Sequence, residues 1–165
     1  MYYRCADAAI NAYLLSHCGL LPYRQPSDPP PKTEAEAKAD VLGLMVSTSA
    51  TYYAPATFPS LLRVGMRVIK LGQSSVRFEL GFFEMPDPTA GKPLSTTLAT
   101  EIQVPQAVPL PANALAVALS RATHVYVDRK DRRPVRPMPE AIFKGLDALK
   151  VPELEENVDK PLSKL

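Results

Sequence analysis

Tryptophan is absent from this 165-residue chain, and cysteine and histidine occur only twice each, as Cys5, Cys18, His17 and His124. Neither cysteine is spaced for a zinc site or a C-x-x-C redox pair. With so few histidines no dedicated metal centre is expected, and nothing in the sequence asks for a cofactor. The two thiols read as small buried or half-buried side chains. Charge of one sign is lacking too. The 19 Lys and Arg against 17 Asp and Glu leave a net +2, which gives no electrostatic ground for binding nucleic acid or an anionic membrane. No apolar run approaches the roughly 18 residues that a spanning helix needs. The first residues show no basic stretch followed by a hydrophobic segment and a small-residue cleavage site, which argues against secretion.

Proline, by contrast, is plentiful at 18 residues. The prolines cluster at Pro22–Pro31, at Pro86–Pro111 and at Pro134–Pro139. Proline donates no ladder hydrogen bond and restricts the residue before it, so these clusters mark loops and frame the regular elements. Tyr2 to Cys18 predicts a helix ended by Gly19. Its apolar and small residues run almost all the way round, which predicts burial on every side. Thr33 to Asp40 fits a short Ala/Glu helix within a long connection. Val41 to Tyr53, rich in β-branched and aromatic residues, predicts a strand. Leu61 to Leu71 and Ser75 to Glu84 alternate with a period of two across Gly72-Gln73-Ser74, which predicts a hairpin. Residues 85–113 read as a Pro-rich insertion, with room for a short edge strand at 98–104. Leu115 to Asp128 predicts a further long strand with Leu115, Val117, Leu119, Thr123, Val125 and Val127 sharing a face. A charged turn follows, then an amphipathic helix through Ile142, Phe143, Leu146 and Leu149. One buried helix followed by long antiparallel strands makes an α+β domain over residues 1–149, with a polar tail over 150–165.

Four stretches carry a resemblance. They are Tyr2-Tyr3 with Asp7-Ala8-Ala9-Ile10-Asn11-Ala12-Tyr13-Leu14, then Tyr52-Tyr53-Ala54-Pro55 with Phe58-Pro59. Val64-Gly65-Met66-Arg67-Val68 with Leu71-Gly72-Gln73-Ser74-Ser75-Val76 follows, then His124-Val125-Tyr126-Val127-Asp128-Arg129 with Arg132-Arg133-Pro134-Val135. In this order they resemble the hotdog-fold acyl-CoA thioesterases of the 4-hydroxybenzoyl-CoA thioesterase type. The resemblance implies an antiparallel sheet wrapped around a central helix, hydrolysis of acyl-CoA thioesters, and a homodimer or homotetramer. It also implies a D-x-x-G-H-V-N-N motif just before the helix, whose aspartate is nucleophile or general base. Residues 1–165 do not contain that motif. The first strand and the catalytic loop are therefore expected to be missing, as in an N-terminally truncated form.

Several residues remain for the chemistry. Tyr2 and Tyr3 open the helix, where free N–H groups and the positive dipole end suit a developing oxyanion, or where the helix simply frays. Asp7 is the one carboxylate of that helix. It is the candidate base, or else a residue bonded at a subunit contact. Asn11, one turn on, orients a ligand or makes a structural hydrogen bond. Ser74 and Ser75 sit where the resemblance brings a neighbouring subunit's strand near the pantetheine arm, and they equally suit a plain turn. Arg129, Arg132 and Arg133 are candidates for the CoA phosphates, against a solvated turn balanced by Asp128 and Asp131. His124, mid-strand, reads as a packed residue. Ser163-Lys164-Leu165 has the form of a peroxisomal address recognised by an import receptor. The leading expectation is an acyl-CoA thioester hydrolase. The alternative is a non-catalytic acyl-CoA-binding or subunit-stabilising chain. An enoyl-CoA hydratase or dehydratase would want an Asp/His pair on a different pattern, which is not found.

Overall fold

The computed structural model describes residues 2–20, 41–57, 60–85 and 114–151. The helix α1 spans Tyr2–Cys18, followed by strands β1 (Val41–Tyr52), β2 (Leu61–Leu71), β3 (Ser75–Met85) and β4 (Ala116–Asp128), and helix α2 (Glu140–Asp147). The helix expected at 33–40, the edge strand at 98–104 and the tail from residue 152 lie outside the described residues. Among those residues no helix is long and apolar enough to cross a membrane.

The strands form one antiparallel sheet in the order β1-β4-β3-β2. Each of the four long predicted strands recurs within a residue of its expected bounds. β2 and β3 pair as the hairpin, Val64 opposite Phe82 and Met66 opposite Leu80. α1 lies on the face that carries Val76, Phe78, Leu80 and Phe82 of β3 and Ala118, Ala122 and Tyr126 of β4, and the core forms between them. This is the α+β hotdog arrangement.

One expectation is corrected. α1 is covered on one side only, through Ala6, Ile10, Leu14 and Cys18, while Tyr3, Arg4, Asp7 and Leu15 are exposed. The alanines that looked like an all-round apolar surface are small enough to be tolerated in water. On β4, the face that meets α1 carries Ala118, Ser120, Ala122, His124 and Tyr126, small where the helix crosses.

The C-terminus of α1 is closed by Gly19 at φ 61°, where Leu20 N–H donates to the Leu14 carbonyl at 3.1 Å. Just before it, α2 crosses. The Tyr13 hydroxyl donates to the Gly145 carbonyl at 2.6 Å, and a Cβ at Gly145 would stand 2.5 Å from Cys18 Sγ. Only glycine allows this approach. After α2 the chain returns to the sheet: Val68 N–H donates to the Leu149 carbonyl at 3.0 Å, and Lys150 makes a parallel bridge with Val68.

Candidate active site

The N-terminus of α1 opens onto a groove of ≈ 500 Å³ lined by Tyr2, Tyr52, Tyr53, Ala54, Pro55 and Ala56. Local sequence explains its shape. β1 ends where Tyr53 and Ala54 donate in turn to the Val117 carbonyl, at 2.9 and 3.2 Å, and Pro55 prevents the ladder from continuing. Beyond it, Thr57 N–H donates to Glu84 Oε1 at 3.0 Å, and the Thr57 hydroxyl bonds the same oxygen. These bonds, the hydroxyl's first and the N–H's second, hold the Glu84 carboxyl below its ordinary range. The loop is thus pinned at both ends. The Tyr2 ring meets Tyr52 edge-on at 5.4 Å and Phe82 at 5.0 Å, which fixes the first turn of α1 over the groove. Tyr52 and Tyr53 remain 57% and 61% exposed, an aromatic wall with room for an apolar ligand.

No acidic side chain occupies the first turn of α1. The first N–H groups of a helix have no intrahelical partner, and no acidic residue of this turn offsets the positive end of the dipole. Such an end can stabilise negative charge developing on a carbonyl oxygen.

The other sequence candidates fall in different places. Asp7 is exposed, five residues along α1 from Tyr2, and is not part of the groove wall. Its charge acts instead on His124. Burial pushes that imidazole below its ordinary value, and Asp7 partly offsets the shift. Asn11 is half-buried one turn beyond Asp7. Ser74 and Ser75 lie at the opposite end of the sheet, since Ser75 begins β3 and Phe82 beside Tyr2 is seven residues further on, roughly 23 Å at ~3.3 Å per residue. The Ser74 carbonyl accepts from Tyr126 N–H at 2.8 Å, a bond that belongs to the turn. Arg129, Arg132 and Arg133 share that far end, because Asp128 pairs with Val41 at the start of β1. There Asp128 Oδ1 accepts from the N–H groups of Lys130 and Asp131 at 2.8 and 3.1 Å, and Arg132 takes φ 59°. Within one chain, then, the helix end and the basic turn stand apart.

Sequence reasoning missed two features. The groove wall at Tyr52–Ala56 entered only through resemblance, and the signal available was that β1 ends in two tyrosines before a proline. The second is a buried polar pair. Both ring nitrogens of His124 and the Tyr126 hydroxyl have no hydrogen-bond partner among the described residues. They pack against Gly43, where a Cβ would lie 3.3 Å from Tyr126 Cε1. His124 is packed, as expected, with Phe78 edge-on at 5.5 Å. Among the described residues no group of three or more His, Cys, Asp or Glu could hold a metal ion.

Residues 1–89 match the sequence profile of the thioesterase superfamily. Among solved structures, a protein of Pseudomonas aeruginosa strain PAO1 is similar at 30% identity and TM-score 0.61, over 92% of this chain and 77% of its own. A Staphylococcus aureus protein solved in complex with CoA is similar at 10% identity and TM-score 0.58, over 98% of this chain and 75% of its own. A thioesterase-superfamily protein of Jannaschia sp. CCS1 is similar at 13% identity and TM-score 0.56, over 91% and 78%. At the last two identities the likeness is one of fold. No curated protein matches the chain.

Proposed function

This chain belongs to the thioesterase superfamily, and from that premise we propose that it binds acyl-CoA in the Tyr2–Tyr52 groove as a thioester hydrolase. The observation that carries this reading is the bare first turn of α1 facing an aromatic groove. In the proposed complex the thioester carbonyl points at the N–H groups of Tyr2 and Tyr3, and the acyl chain lies along Tyr52 and Tyr53. The binding half of the site can be tested without turnover. Tyr52→Ala removes a wall and leaves the helix in place, so the Kd of a non-hydrolysable acyl-CoA thioether rises about tenfold. An unchanged Kd by calorimetry would put the substrate elsewhere.

Hydrolysis also needs a carboxylate to attack or to activate water. Residues 1–165 lack the D-x-x-G-H-V-N-N motif, and Asp7 is the carboxylate that remains on α1. The second reading is a chain that binds acyl-CoA or steadies an active subunit without catalysis, and thioether binding without any thiol release would identify it.

The proposal includes a homodimer or homotetramer. β1 is an edge strand, and its middle exposes Met45 and Val46, at 41% and 59%. A long edge with apolar residues invites a second copy. Two-fold pairing of β1 with itself runs the strands antiparallel. That carries the partner's Ser74, Ser75 and basic-turn end toward the groove end of this chain, joining candidates that one chain keeps apart. Light scattering at micromolar concentration is expected to give at least twice the 18.0 kDa of one chain. A mass of one chain would refute the pairing.

The proposed compartment is the peroxisome, on the strength of Ser163-Lys164-Leu165 alone. A fluorescent protein placed ahead of residues 150–165 should become punctate and return to the cytosol when Leu165 is deleted. Diffuse signal with the tripeptide intact would end the proposal.

A further inference from the structure

β3 serves the groove from two positions on one face. Side chains alternate along a strand, and Leu62 and Val64 of β2, which pack against the core, sit opposite Glu84 and Phe82. Both β3 residues therefore lie on the side of the sheet that carries α1. Phe82 is buried and takes the Tyr2 ring edge-on at 5.0 Å. Glu84, one pleat further on, reaches the loop between β1 and β2. Its Oε1 accepts the Thr57 N–H at 3.0 Å and the Thr57 hydroxyl as well. Ser60 Oγ then donates to the Thr57 carbonyl at 2.6 Å.

Thr57 directly follows Ala56, the last residue of the groove wall. The wall from Tyr53 to Ala56 is held at its start by the Val117 carbonyl and at its end by this one carboxylate oxygen. Packing fixes little of it, because Tyr53, Ala54, Pro55 and Thr57 are exposed and Ala56 is half-buried. Pro55 restricts its own backbone and that of Ala54, so the freedom that remains lies at Ala56 and Thr57. That is where Glu84 acts. Its hydrogen bonds go to an ionised acceptor, and such bonds are roughly twice as strong as neutral ones.

We infer that Glu84 is a positioning residue for acyl-CoA binding, which through Thr57 holds the Tyr53–Ala56 wall in the shape that receives the acyl chain. This role rests on the groove being the acyl-CoA site proposed above. It requires an acceptor oxygen at that point, and neither contact with the ligand nor a role in proton transfer. A wall released at this end must be ordered again when the ligand arrives, and that ordering opposes association.

The test is calorimetric titration of the full chain with a non-hydrolysable acyl-CoA thioether. Glu84→Ala should raise the Kd about five- to tenfold while native circular dichroism is retained. Glu84→Gln keeps the acceptor oxygen and should return the Kd to within about twofold of the native value. Thr57→Val keeps the N–H and loses the hydroxyl. It should raise the Kd about two- to threefold alone and have no further effect in Glu84→Ala, since both changes act through one contact. If Glu84→Ala loses its native spectrum, Glu84→Gln and Thr57→Val carry the comparison, with Gln near native and Val weaker. Native binding with a Kd unchanged in Glu84→Ala overturns the positioning role and leaves the groove reading standing. Failure of Gln to restore affinity, or additive effects of the two substitutions, overturns it as well. A native chain that binds no thioether removes the groove reading itself, and this role with it.

Discussion

Residues 1–165 are expected to release thiol from acyl-CoA slowly, and grafting a D-x-x-G-H-V-N-N segment ahead of α1 is expected to raise the rate by roughly 100- to 10,000-fold. The asymmetry follows from what each part of the site supplies. Oxyanion donors and binding alone leave a residue of catalysis, whereas a positioned carboxylate supplies the attack or the proton transfer. In the proposed site Tyr2 and Tyr3 supply the first set, and the described groove wall holds no carboxylate to supply the second. Asp7→Asn in both forms separates the roles, and because Asp7 is exposed and outside the groove, it should change neither rate more than about twofold. Brisk hydrolysis by the ungrafted chain, abolished by Asp7→Asn, would instead make Asp7 the catalytic carboxylate. Inactivity of both forms with thioether binding intact would establish the non-catalytic reading.

Acid should destabilise the fold in two separate windows, and Glu79→Gln should shrink the lower one. Glu79 is 4% exposed. Burial raises its carboxyl, but the hydrogen bonds and charges of Arg67 and Arg121 more than reverse this, and it ends below the ordinary 4.5. The unfolded chain therefore binds a proton near pH 4.5 that the folded chain resists, so the stabilisation is complete above that pH and is lost as pH falls through the folded value. His124 acts higher up. Its buried imidazole is held below 6.5, so the unfolded state takes a proton first and stability declines from about pH 6.5 downward. At pH 7, Glu79→Ala should cost about 3 kcal/mol, the low end for breaking a buried ion pair, because Arg67 and Arg121 are each 41% exposed and can rehydrate. Urea unfolding at pH 7, 5 and 3.5 checks both statements. Equal loss in native protein and Glu79→Gln between pH 5 and 3.5 would refute the lower window.

Much of this architecture could be read from pattern, and what could not has definite reasons. Tyr2–Cys18 was bounded by Gly19, and the β2–β3 hairpin by its alternation across Gly72, because these signals are local. The direction of burial is not local. On β4, larger apolar residues at 119 and 125 alternate with small ones at 118, 120 and 122, and α1 packs on the small side, where its backbone can approach. The same logic misled for α1 itself, where alanine is compatible with either burial or solvent. The candidate site was half legible. Its helix end was visible as the start of an apolar run, but Tyr52 and Tyr53 come together with Tyr2 only through a sheet that seats the end of β1 beside the start of the helix.

The Val68–Lys150 bridge decides where the remaining chain departs. It ties the last described residues to β2, at the opposite flank from β1, three strand spacings or roughly 14 Å across the sheet. In an assembly joined through β1, the two copies of residues 152–165 would therefore start from the outer flanks and not from the seam. A receptor reading Ser163-Lys164-Leu165 would meet a fully assembled particle with two handles. Subunits that had lost the tripeptide could then travel as passengers with a partner that kept it. In the proposed dimer, two handles on one particle would also raise the effective concentration of the second once the first is held, so cargo capture would become a property of the pair more than of the single chain.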